Sequence, residues 1–275
     1  MLEPVQSLWV GPKLSELEVL SIKSFQKVGH KFILYTYQKI KNIPPGTIVK
    51  DGNKIIKKNI LFKYKTSFLP FSDLFRYKML YDNGGYWVDL DMIALKPLKF
   101  KEPYIFSSER TIQKGPYRNR TLKEIANIGI LKAPPKSAFY KELYSECLTK
   151  IKSVNENIKF MRIMRDLLDK YNYHNYVKPA KMFCPLDWWH TKNAFEKKCC
   201  EKKYDVAGYQ IKDILKKAHT IHMWRSIMNN RHKIDLNDNF DPTSLWEILK
   251  KRVNHNKKTK KNSIFIKKKS RKRIN

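Results

Sequence analysis

The first 37 residues place one amphipathic segment between two short apolar runs, and this order constrains the fold more than any other feature. Residues 5–10 (VQSLWV) predict a strand that ends at a Gly-Pro pair, and residues 32–37 (FILYTY) predict a second strand. Between them, residues 15–28 predict a helix that begins with an S-x-x-E capping box formed by Ser15 and Glu18. Strand, helix and strand in this spacing form a βαβ unit, which predicts an α/β fold with a parallel sheet and helices on its faces.

Further elements follow along the chain. The turn signals IPPG and KDGN predict a loop over residues 43–56, and residues 177–189 are expected to be irregular. The other predicted strands cover residues 86–95, 104–108, 127–131 and 220–224, and the other predicted helices cover residues 72–83, 137–150 and 159–171. The pattern therefore continues as an α/β protein.

Length and composition favour one globular domain. At 275 residues with 42% apolar content, the chain can bury one sizeable core, which we expect over residues 1–250. Residues 251–275 carry twelve Lys and Arg and no acid, and this basic tail is expected to be disordered. No apolar run reaches the ~18 residues that span a bilayer, and the N-terminus lacks the features of a signal peptide. We therefore expect a cytoplasmic protein, and any contact with a membrane is expected to be peripheral.

The formal net charge of +32 favours polyanionic partners. Nucleic acid, an anionic membrane reached through the basic tail, and phosphate-bearing small molecules all fit this charge, and so does a solubilising role without any partner. The four cysteines show no metal or redox spacing, so we expect reduced thiols. The charge alone does not choose among these partners.

Asp89 and Asp91 lie two residues apart in an otherwise apolar run, YWVDLDMIAL. On a strand, Trp87 and both aspartates project to one face, and ligands of open parallel sheets bind at the carboxyl ends of strands. Buried carboxylates need a positive partner, which here is a metal ion or the Lys/Arg surplus, unless water covers them. Two carboxylates at such a place suit a hard divalent cation, with a diphosphate completing its ligands.

The preceding helix carries a second pair of charges. Ser72 is its predicted N-cap, and Asp73 and Arg76 share a helical face. An aspartate can accept hydrogen bonds from sugar hydroxyls, and an arginine can hold a phosphate or sugar oxygen. Because Gly84 and Gly85 end the helix and let the chain turn into the aspartate strand, the four charged residues are predicted to converge. Taken separately, Asp73 and Arg76 are more often a surface i,i+3 pair, and two aspartates as close as Asp89 and Asp91 often arise by chance.

Together, these residues resemble a known family. The stretch SDLFRYKMLYDNGGYWVDLDM, residues 72–92, resembles the core of glycosyltransferase family 32 and its relatives, the DXD-containing sugar-binding region. The group includes yeast mannosyltransferases, α-1,4-galactosyltransferases, capsular polysaccharide glycosyltransferases and the glucosylating clostridial toxins. Its members share S-D-x-x-R, a short helix, G-G-x-Y and x-D-x-D; here Trp87, preceded by Tyr86, holds the aromatic position. SLWVG (residues 7–11) resembles the family's opening strand, and HMW (residues 222–224) resembles its H-x-W or S-x-W element.

The resemblance implies a GT-A-like fold, a Rossmann-like mixed, mostly parallel sheet with helices on both faces. It implies a nucleotide-sugar donor, with a UDP-sugar favoured over a GDP-sugar, Mn²⁺ (or Mg²⁺) as cofactor, and retention of anomeric configuration. The acceptor is then a hydroxyl of a glycan or glycoconjugate.

The resemblance also implies roles for individual residues. Asp89 contacts the ribose and the metal, and Asp91 binds the metal directly. His222 approaches the metal or the diphosphate. The remaining donor-binding residues are Trp9, which stacks on the base, Asp73, Arg76, Trp87 and Trp224, the last on the β-phosphate side. No catalytic base is identified.

Two other functions remain open from the sequence. A nucleic-acid-binding protein fits the charge, but the chain has no zinc-finger spacing, RNP-like signature or helix-turn-helix, and this function leaves the aspartate pair unexplained. A phosphohydrolase could use D-x-D as nucleophile and acid, but such enzymes usually place the pair after the first strand, whereas here it lies in at least the third strand and Met92-Ile93 follows it. Asp187, Trp188 and Trp189 fit either a sugar-stacking wall for the acceptor or packed core.

Overall fold

The computed structural model describes residues 2–64, 67–114, 120–151, 160–197 and 211–255. Its strands are β1 (Val5–Trp9), β2 (Phe32–Thr36), β3 (Ile48–Asp51), β4 (Gly85–Val88), β5 (Met92–Ala94), β6 (Ile105–Lys114), β7 (Arg120–Ala133) and β8 (Thr220–His222). Six of them form a sheet in the order β3-β2-β1-β4-β7-β6, and β5 pairs with β8 in a second, two-stranded sheet. β1 is parallel to β2 and β4, and β2 is parallel to β3. β7 is antiparallel to both of its neighbours, so the larger sheet is mixed.

Helices cover both faces of the larger sheet. The α-helices of the described residues are α1 (Glu16–Lys27), α2 (Leu69–Asn83), α3 (Ala138–Ile151), α4 (Phe160–Tyr171), α5 (Ala180–Phe183), α6 (Ile211–Lys217), α7 (Arg225–Ile227) and α8 (Leu245–Asn254). Phe32 and Leu34 of β2 pack with α1, whereas Ile33 and Tyr35 point to the cluster that α2, α3 and α4 form on the other face. This alternation is what period-two side chains produce when both faces are buried. The predicted α/β class, a mixed, mostly parallel sheet with helices on both faces, is confirmed.

The predicted βαβ unit is present. β1 and β2 pair in parallel from Val5 opposite Phe32 to Trp9 opposite Thr36, with α1 as the crossover. The capping box at the start of α1 also forms, since the Glu18 carboxylate accepts the backbone N–H of Ser15 at 2.7 Å.

The prediction of a loop over residues 43–56 is wrong in part, because this stretch contains β3. Ile48 and Val49 of β3 are exposed, so the strand lacks the apolar alternation by which strands are recognised. It is held instead by parallel backbone pairing at the edge of the sheet, where Ile48 lies opposite Ile33. Backbone pairing of this kind leaves little trace in the sequence.

Helix α2 begins earlier than predicted, so Ser72 is not its N-cap. The helix starts at Leu69, with Pro70 in its first turn, and the backbone N–H of Ser72 already donates to the carbonyl of Phe68 at 2.9 Å. Proline suits the first turn because it has no N–H to leave unsatisfied there. The end is as predicted: Gly84 has φ of 63°, and its N–H donates to the Leu80 carbonyl.

The predicted strand over residues 86–95 is two strands. β4 ends at Val88, the chain turns through Asp89 and Asp91, and β5 leaves for the second sheet to pair with β8. The apolar residues on both sides of the turn hide this break, because each strand is buried. The two aspartates therefore lie in the connection between two sheets, at the carboxyl end of β4.

The second half of the chain agrees in its main elements. The predicted strands over residues 104–108 and 127–131 are the inner ends of a long β6–β7 hairpin, whose outer residues are mostly polar. The predicted helices over residues 137–150 and 159–171 are α3 and α4, and the late strand is β8. The predicted irregular segment over residues 177–189 holds one short helical turn, α5, and its last two residues begin a 3₁₀-helix, Trp188–Phe195.

The C-terminal boundary differs from the prediction. Residues 251–254 belong to α8, where Val253 is buried, so the first residues of the predicted tail are helical. Residues 256–275 lie outside the described residues, as do Cys199 and Cys200. Cys147 and Cys184 are buried, free thiols. No helix among the described residues is long and apolar enough to cross a membrane.

Candidate functional site

The turn that carries the two aspartates is fixed by backbone hydrogen bonds from both sheets. The N–H of Asp89 donates to the carbonyl of Gly129 on β7 at 2.9 Å. The carbonyl of Asp89 accepts the N–H of Met92 at 3.1 Å, which closes the turn. The carbonyl of Asp91 accepts the N–H of Met223, just after β8, at 2.9 Å. The positions of the aspartates are thus set by three separate strands.

Asp89, Asp91 and His222 form one cluster. Their ligand atoms all lie within 4.8 Å of one another. Asp91 Oδ2 lies 3.2 Å from His222 Nε2 and accepts the backbone N–H of Arg225 at 2.9 Å. The pairing of β5 with β8, which places Met92 opposite His222, brings the histidine to the aspartates from 131 residues away.

Trp87 positions Asp89 from the core. Its indole N–H donates to Asp89 Oδ1 at 2.8 Å, and its side chain is only 1% exposed. The expectation that Trp87 projects with both aspartates toward a ligand does not fit this burial. A buried indole acts on the site through the carboxylate that it orients.

Arg76 connects the helix to the aspartate turn. Its guanidinium lies 3.0 Å from Asp73 Oδ1 and 3.0 Å from Asp89 Oδ1, and it donates to the carbonyl of Ile128 at 2.7 Å. The guanidinium also lies over the Trp87 ring, 4.9 Å from its centroid. Arg76 is 2% exposed, so the ion pair with Asp73 is a buried one and not the surface pair that spacing alone allows. The predicted convergence of Asp73, Arg76 and the two aspartates is present in the structure.

The acids of the cluster have opposite pKa shifts. Burial raises the pKa of Asp89 despite the opposing charge of Arg76, and the charge of Asp91 adds to the rise. Burial acts on Asp91 in the same direction, but the charge and hydrogen bond of His222 outweigh it and lower the pKa of Asp91. Burial would lower the pKa of His222, but Asp91 outweighs it and raises that pKa well above the usual value. Burial also raises the pKa of Asp73 to about 7. The nearby cations therefore compensate only part of the cost of burying the carboxylates of Asp73 and Asp89.

A divalent cation fits this donor set. Two carboxylates and one imidazole on a preformed turn offer oxygen and nitrogen ligands, which Mn²⁺ accepts and which Mg²⁺ accepts less readily because it favours oxygen. The charge of a bound cation would also stabilise the ionised carboxylate of Asp89 and so offset the effect of burial, which raises its pKa. Among the described residues, Asp89, Asp91 and His222 form the one group that could hold a metal ion.

Trp9 is the last residue of β1 and lies beside Arg225. The Arg225 guanidinium lies over the Trp9 ring, 5.1 Å from the centroid, and the buried indole N–H of Trp9 has no hydrogen-bond partner among the described residues. Arg225 also pairs with the fully buried Glu18 and donates to Ser15 Oγ at 3.2 Å. Because the backbone N–H of Arg225 binds Asp91, this one residue links Trp9, the start of α1 and the aspartate turn.

Trp224 lies directly against His222 of the cluster. Its backbone is in the left-handed region, with φ of 55°, and its ring stacks on His222 with centroids 3.8 Å apart. Its indole N–H donates to the carbonyl of Leu186 at 2.7 Å. The residues predicted from HMW are thus both at the aspartate cluster, although the roles assigned to them stay predictions.

Sequence reasoning missed several residues around the cluster. Arg225 directly follows HMW, but no pattern distinguishes it from the many other basic residues. Cys184 Sγ lies 3.8 Å from His222 Nδ1, and Asn127 donates to Cys184 at 3.3 Å. Gly129 leaves room beside His222, since a Cβ there would lie 3.8 Å from the imidazole and 3.3 Å from the sulfur of Met92. These residues come from distant parts of the chain and carry no local motif.

One of three comparisons with known proteins, the match to a family model, agrees with this site. Residues 21–112 match the family model described as "Glycosyltransferase sugar-binding region containing DXD motif". A search of solved structures found the PaToxG glycosyltransferase, which is 12% identical with a TM-score of 0.45 and covers 62% of this chain and 69% of that chain. A search of curated proteins gave no match. The matched segment contains Asp73, Arg76, Asp89 and Asp91, so the resemblance to the DXD-containing sugar-binding region of glycosyltransferases is confirmed over residues 21–112, and this match supports a glycosyltransferase activity.

Proposed function

We propose that the protein is a metal-dependent, retaining glycosyltransferase that moves a hexosyl group from a nucleotide sugar to a hydroxyl of a glycan or glycoconjugate. A UDP-sugar is favoured over a GDP-sugar as the donor. The observation that carries the proposal is the cluster of Asp89, Asp91 and His222, whose ligand atoms lie within 4.8 Å of one another in a DXD sugar-binding region. A phosphohydrolase or a nucleic-acid-binding protein has no comparable support in the structure.

Asp91, His222 and Asp89 would hold the Mn²⁺ (or Mg²⁺). When bound, the metal supplies positive charge that stabilises the diphosphate leaving group. The protein contributes a fixed geometry, because Asp91 is tied by the backbone N–H of Arg225 and Asp89 by Trp87. Preorganised ligands of this kind need no rearrangement during the reaction.

Donor binding follows from what surrounds the cluster. The side chains of Asp73 and Asp89 are 18% and 22% exposed, so their carboxylates can accept hydrogen bonds from hydroxyl groups of the donor. Arg76 is buried and holds both carboxylates in place, which makes it a positioning residue. Trp9 would stack on the base, with the Arg225 guanidinium beside it, and Trp224 would lie on the β-phosphate side.

The reaction breaks the bond between the anomeric carbon and the β-phosphate oxygen, and the diphosphate leaves with the electron pair. The sugar passes through an oxocarbenium-like state, and the acceptor hydroxyl attacks and loses its proton. In a retaining enzyme the new bond forms on the face that the diphosphate left. We assign no residue as the base.

The test is hydrolysis of a panel of UDP- and GDP-sugars by the full chain with Mn²⁺, with Mg²⁺ and with EDTA, together with p-nitrophenyl phosphate as a phosphatase substrate. We expect one or few donors to be hydrolysed only with metal, with Asp91→Asn inactive and p-nitrophenyl phosphate untouched. The matched control is Asp238→Asn, which changes an exposed aspartate far along the chain and should retain full activity. Metal-independent hydrolysis, or phosphatase activity lost in Asp91→Asn, would contradict the proposal.

A further inference from the structure

Trp188 and Trp189 differ from the other tryptophans of the chain. Both are half-buried, and among the described residues they pack against none of the three hydrophobic clusters. The other four all belong to those clusters or pack against them: Trp9, Trp87, Trp224 and Trp246. Two adjacent, partly exposed indole rings form contiguous apolar surface of the kind that binding sites use.

The two rings form a right-angled pair, called here the aromatic corner (Trp188 and Trp189). Their centroids are 5.2 Å apart and their planes meet at 89°. Hydrogen-bonding groups surround the corner: the Arg231 guanidinium lies 5.5 Å from the centroid of Trp188, and the His190 ring lies 6.0 Å from Trp189. Asn193 Nδ2 is 3.3 Å from His190 Nδ1. Flat apolar surface bordered by planar polar groups is a surface that suits sugars.

The backbone beneath the aromatic corner is held firmly. Asp187 makes a bidentate pair with Arg110, with both N···O distances at 2.7 Å, and this pair is buried. The same guanidinium donates to the carbonyl of Pro185 at 3.2 Å. Thr191 Oγ1 donates to the carbonyl of Trp188 at 2.7 Å. Asp187 therefore fixes the segment and does not face a ligand, and the corner is preorganised, which lowers the entropic cost of binding.

The aromatic corner is also close to the aspartate cluster. Trp224, whose ring stacks on His222, donates to the carbonyl of Leu186, two residues before Trp188. Two residues span at most about 7 Å of chain. A molecule bound at the corner would therefore lie within reach of a sugar held at Asp89 and Asp91.

We infer that the aromatic corner binds a pyranose ring of the acceptor. The C–H bonds of one sugar face would lie on an indole ring, whose negative face they complement, and the hydroxyls would reach His190, Asn193 and Arg231. Successive bases of a single-stranded nucleic acid stack on aromatic faces along a groove, which two perpendicular rings do not provide. The inference rests on the proposed function, since it places the acceptor beside the donor site.

The first experiment separates acceptor binding from donor chemistry. Trp188→Ala and Trp189→Ala are compared with wild type for donor hydrolysis in water, for transfer to methyl galactosides, glucosides and mannosides, and for transfer to glycerol. We expect KM for the best methyl glycoside to rise about tenfold, a loss of about 1.4 kcal/mol. Donor hydrolysis and transfer to glycerol should stay within about twofold of wild type. Trp188→Phe, which keeps a ring, should restore most of the loss.

The matched control is Tyr81→Ala, which removes a half-buried aromatic ring from the end of α2 and should leave KM for the methyl glycoside unchanged. An unchanged acceptor KM in both tryptophan variants would overturn the inference while leaving the proposed function intact. Equal losses of hydrolysis and transfer would overturn it as well, because the corner would then serve the donor site or the fold.

A second measurement does not depend on turnover. Saturation-transfer NMR with the same methyl glycosides should show contact between protein and sugar C–H groups in the wild type and in Tyr81→Ala, and a weaker contact in both tryptophan variants. Equal signals in wild type and tryptophan variants, or none in either, would overturn the inference. If no donor is hydrolysed but this contact is seen, the proposed function fails and the sugar site stands.

Discussion

Replacing Arg76 should lower the free energy of unfolding more than any other single substitution in the candidate site. The guanidinium is 2% exposed and bridges Asp73 and Asp89 while it donates to a carbonyl of β7. Arg76→Met would remove the guanidinium that pairs with the carboxylates of both Asp73 and Asp89. Removal of one partner from a buried ion pair costs about 3–5 kcal/mol. Because both acids keep some exposure to water, we expect about 3 kcal/mol.

The loss should depend on pH in a direction that the pKa shifts define. Burial already holds the pKa of Asp73 at about 7, above its unfolded value, so its ionisation costs stability as the pH rises. Without the guanidinium this pKa rises further, and so does that of Asp89. The deficit of Arg76→Met relative to wild type should therefore be larger at pH 8 than at pH 5, where both carboxyls are protonated more readily.

Urea unfolding at pH 5 and pH 8 measures both effects. Arg165→Met is the matched control, because Arg165 also donates to a carbonyl of β7, that of Ala126, at 2.8 Å, but carries no paired carboxylate among the described contacts. We expect it to cost about 1 kcal/mol at either pH. Equal, pH-independent losses in the two variants would refute the account of Arg76 as the cation that holds the two acids.

Three further predictions concern other parts of the fold. Arg225→Met leaves the buried Glu18 carboxylate without its cation and should lower the free energy of unfolding by about 3 kcal/mol. Adding Glu18→Gln to this variant should recover at least about 1.5 kcal/mol. A double-mutant cycle in urea measures the coupling between the two residues, and additive effects would contradict the ion pair. Burial lowers the pKa of His30, whose Nε2 accepts a backbone N–H at 2.9 Å. Because the folded state then binds fewer protons than the unfolded state, the free energy of unfolding should fall as the pH drops below about 6.5. His30→Gln, which keeps a donor and an acceptor, should flatten that part of the curve of Tm against pH, and an unchanged slope would disprove the assignment. Gly84→Ala should cost at least about 2 kcal/mol because its Cβ would lie 2.5 Å from a backbone nitrogen. Gly46→Ala, also at positive φ, should cost less in the same urea assay, because its Cβ would make only an ordinary contact, 3.5 Å from the Gln26 side chain.

The parts of the fold that could be predicted are those whose side chains alternate with burial. β1, α1 and β2 were predictable because the apolar period changes from two to about 3.6 and back, with a capping box at the change. β3 was not predictable, because its side chains are exposed and only backbone pairing holds it. The break between β4 and β5 was hidden for the opposite reason, since both strands are buried and read as one apolar run.

The candidate site divides in a similar way. Asp73, Arg76, Asp89 and Asp91 lie within twenty residues, so their order and spacing could carry a motif. His222 reaches the aspartates through strand pairing over 131 residues, and only its resemblance to a short family element pointed to it. Contacts such as these depend on tertiary packing, which a single sequence does not display.

The roles of Arg76 and Trp87 show a further limit. A motif indicates which residues belong to a site but not which of them face the ligand. Both side chains are almost fully buried and orient Asp89, whereas the sequence predicted direct contact with the donor. Burial therefore separates the residues that bind from those that position.

The central claim is that Asp89, Asp91 and His222 bind a divalent metal together with a nucleotide. Electron paramagnetic resonance of free Mn²⁺, titrated with the full chain in the presence of UDP, measures this directly without requiring turnover. We predict one site per chain in the wild type and in Asp238→Asn, and at least tenfold weaker binding in Asp91→Asn, with all three proteins folded by circular dichroism. Equal Mn²⁺ binding by Asp91→Asn and wild type would contradict the account.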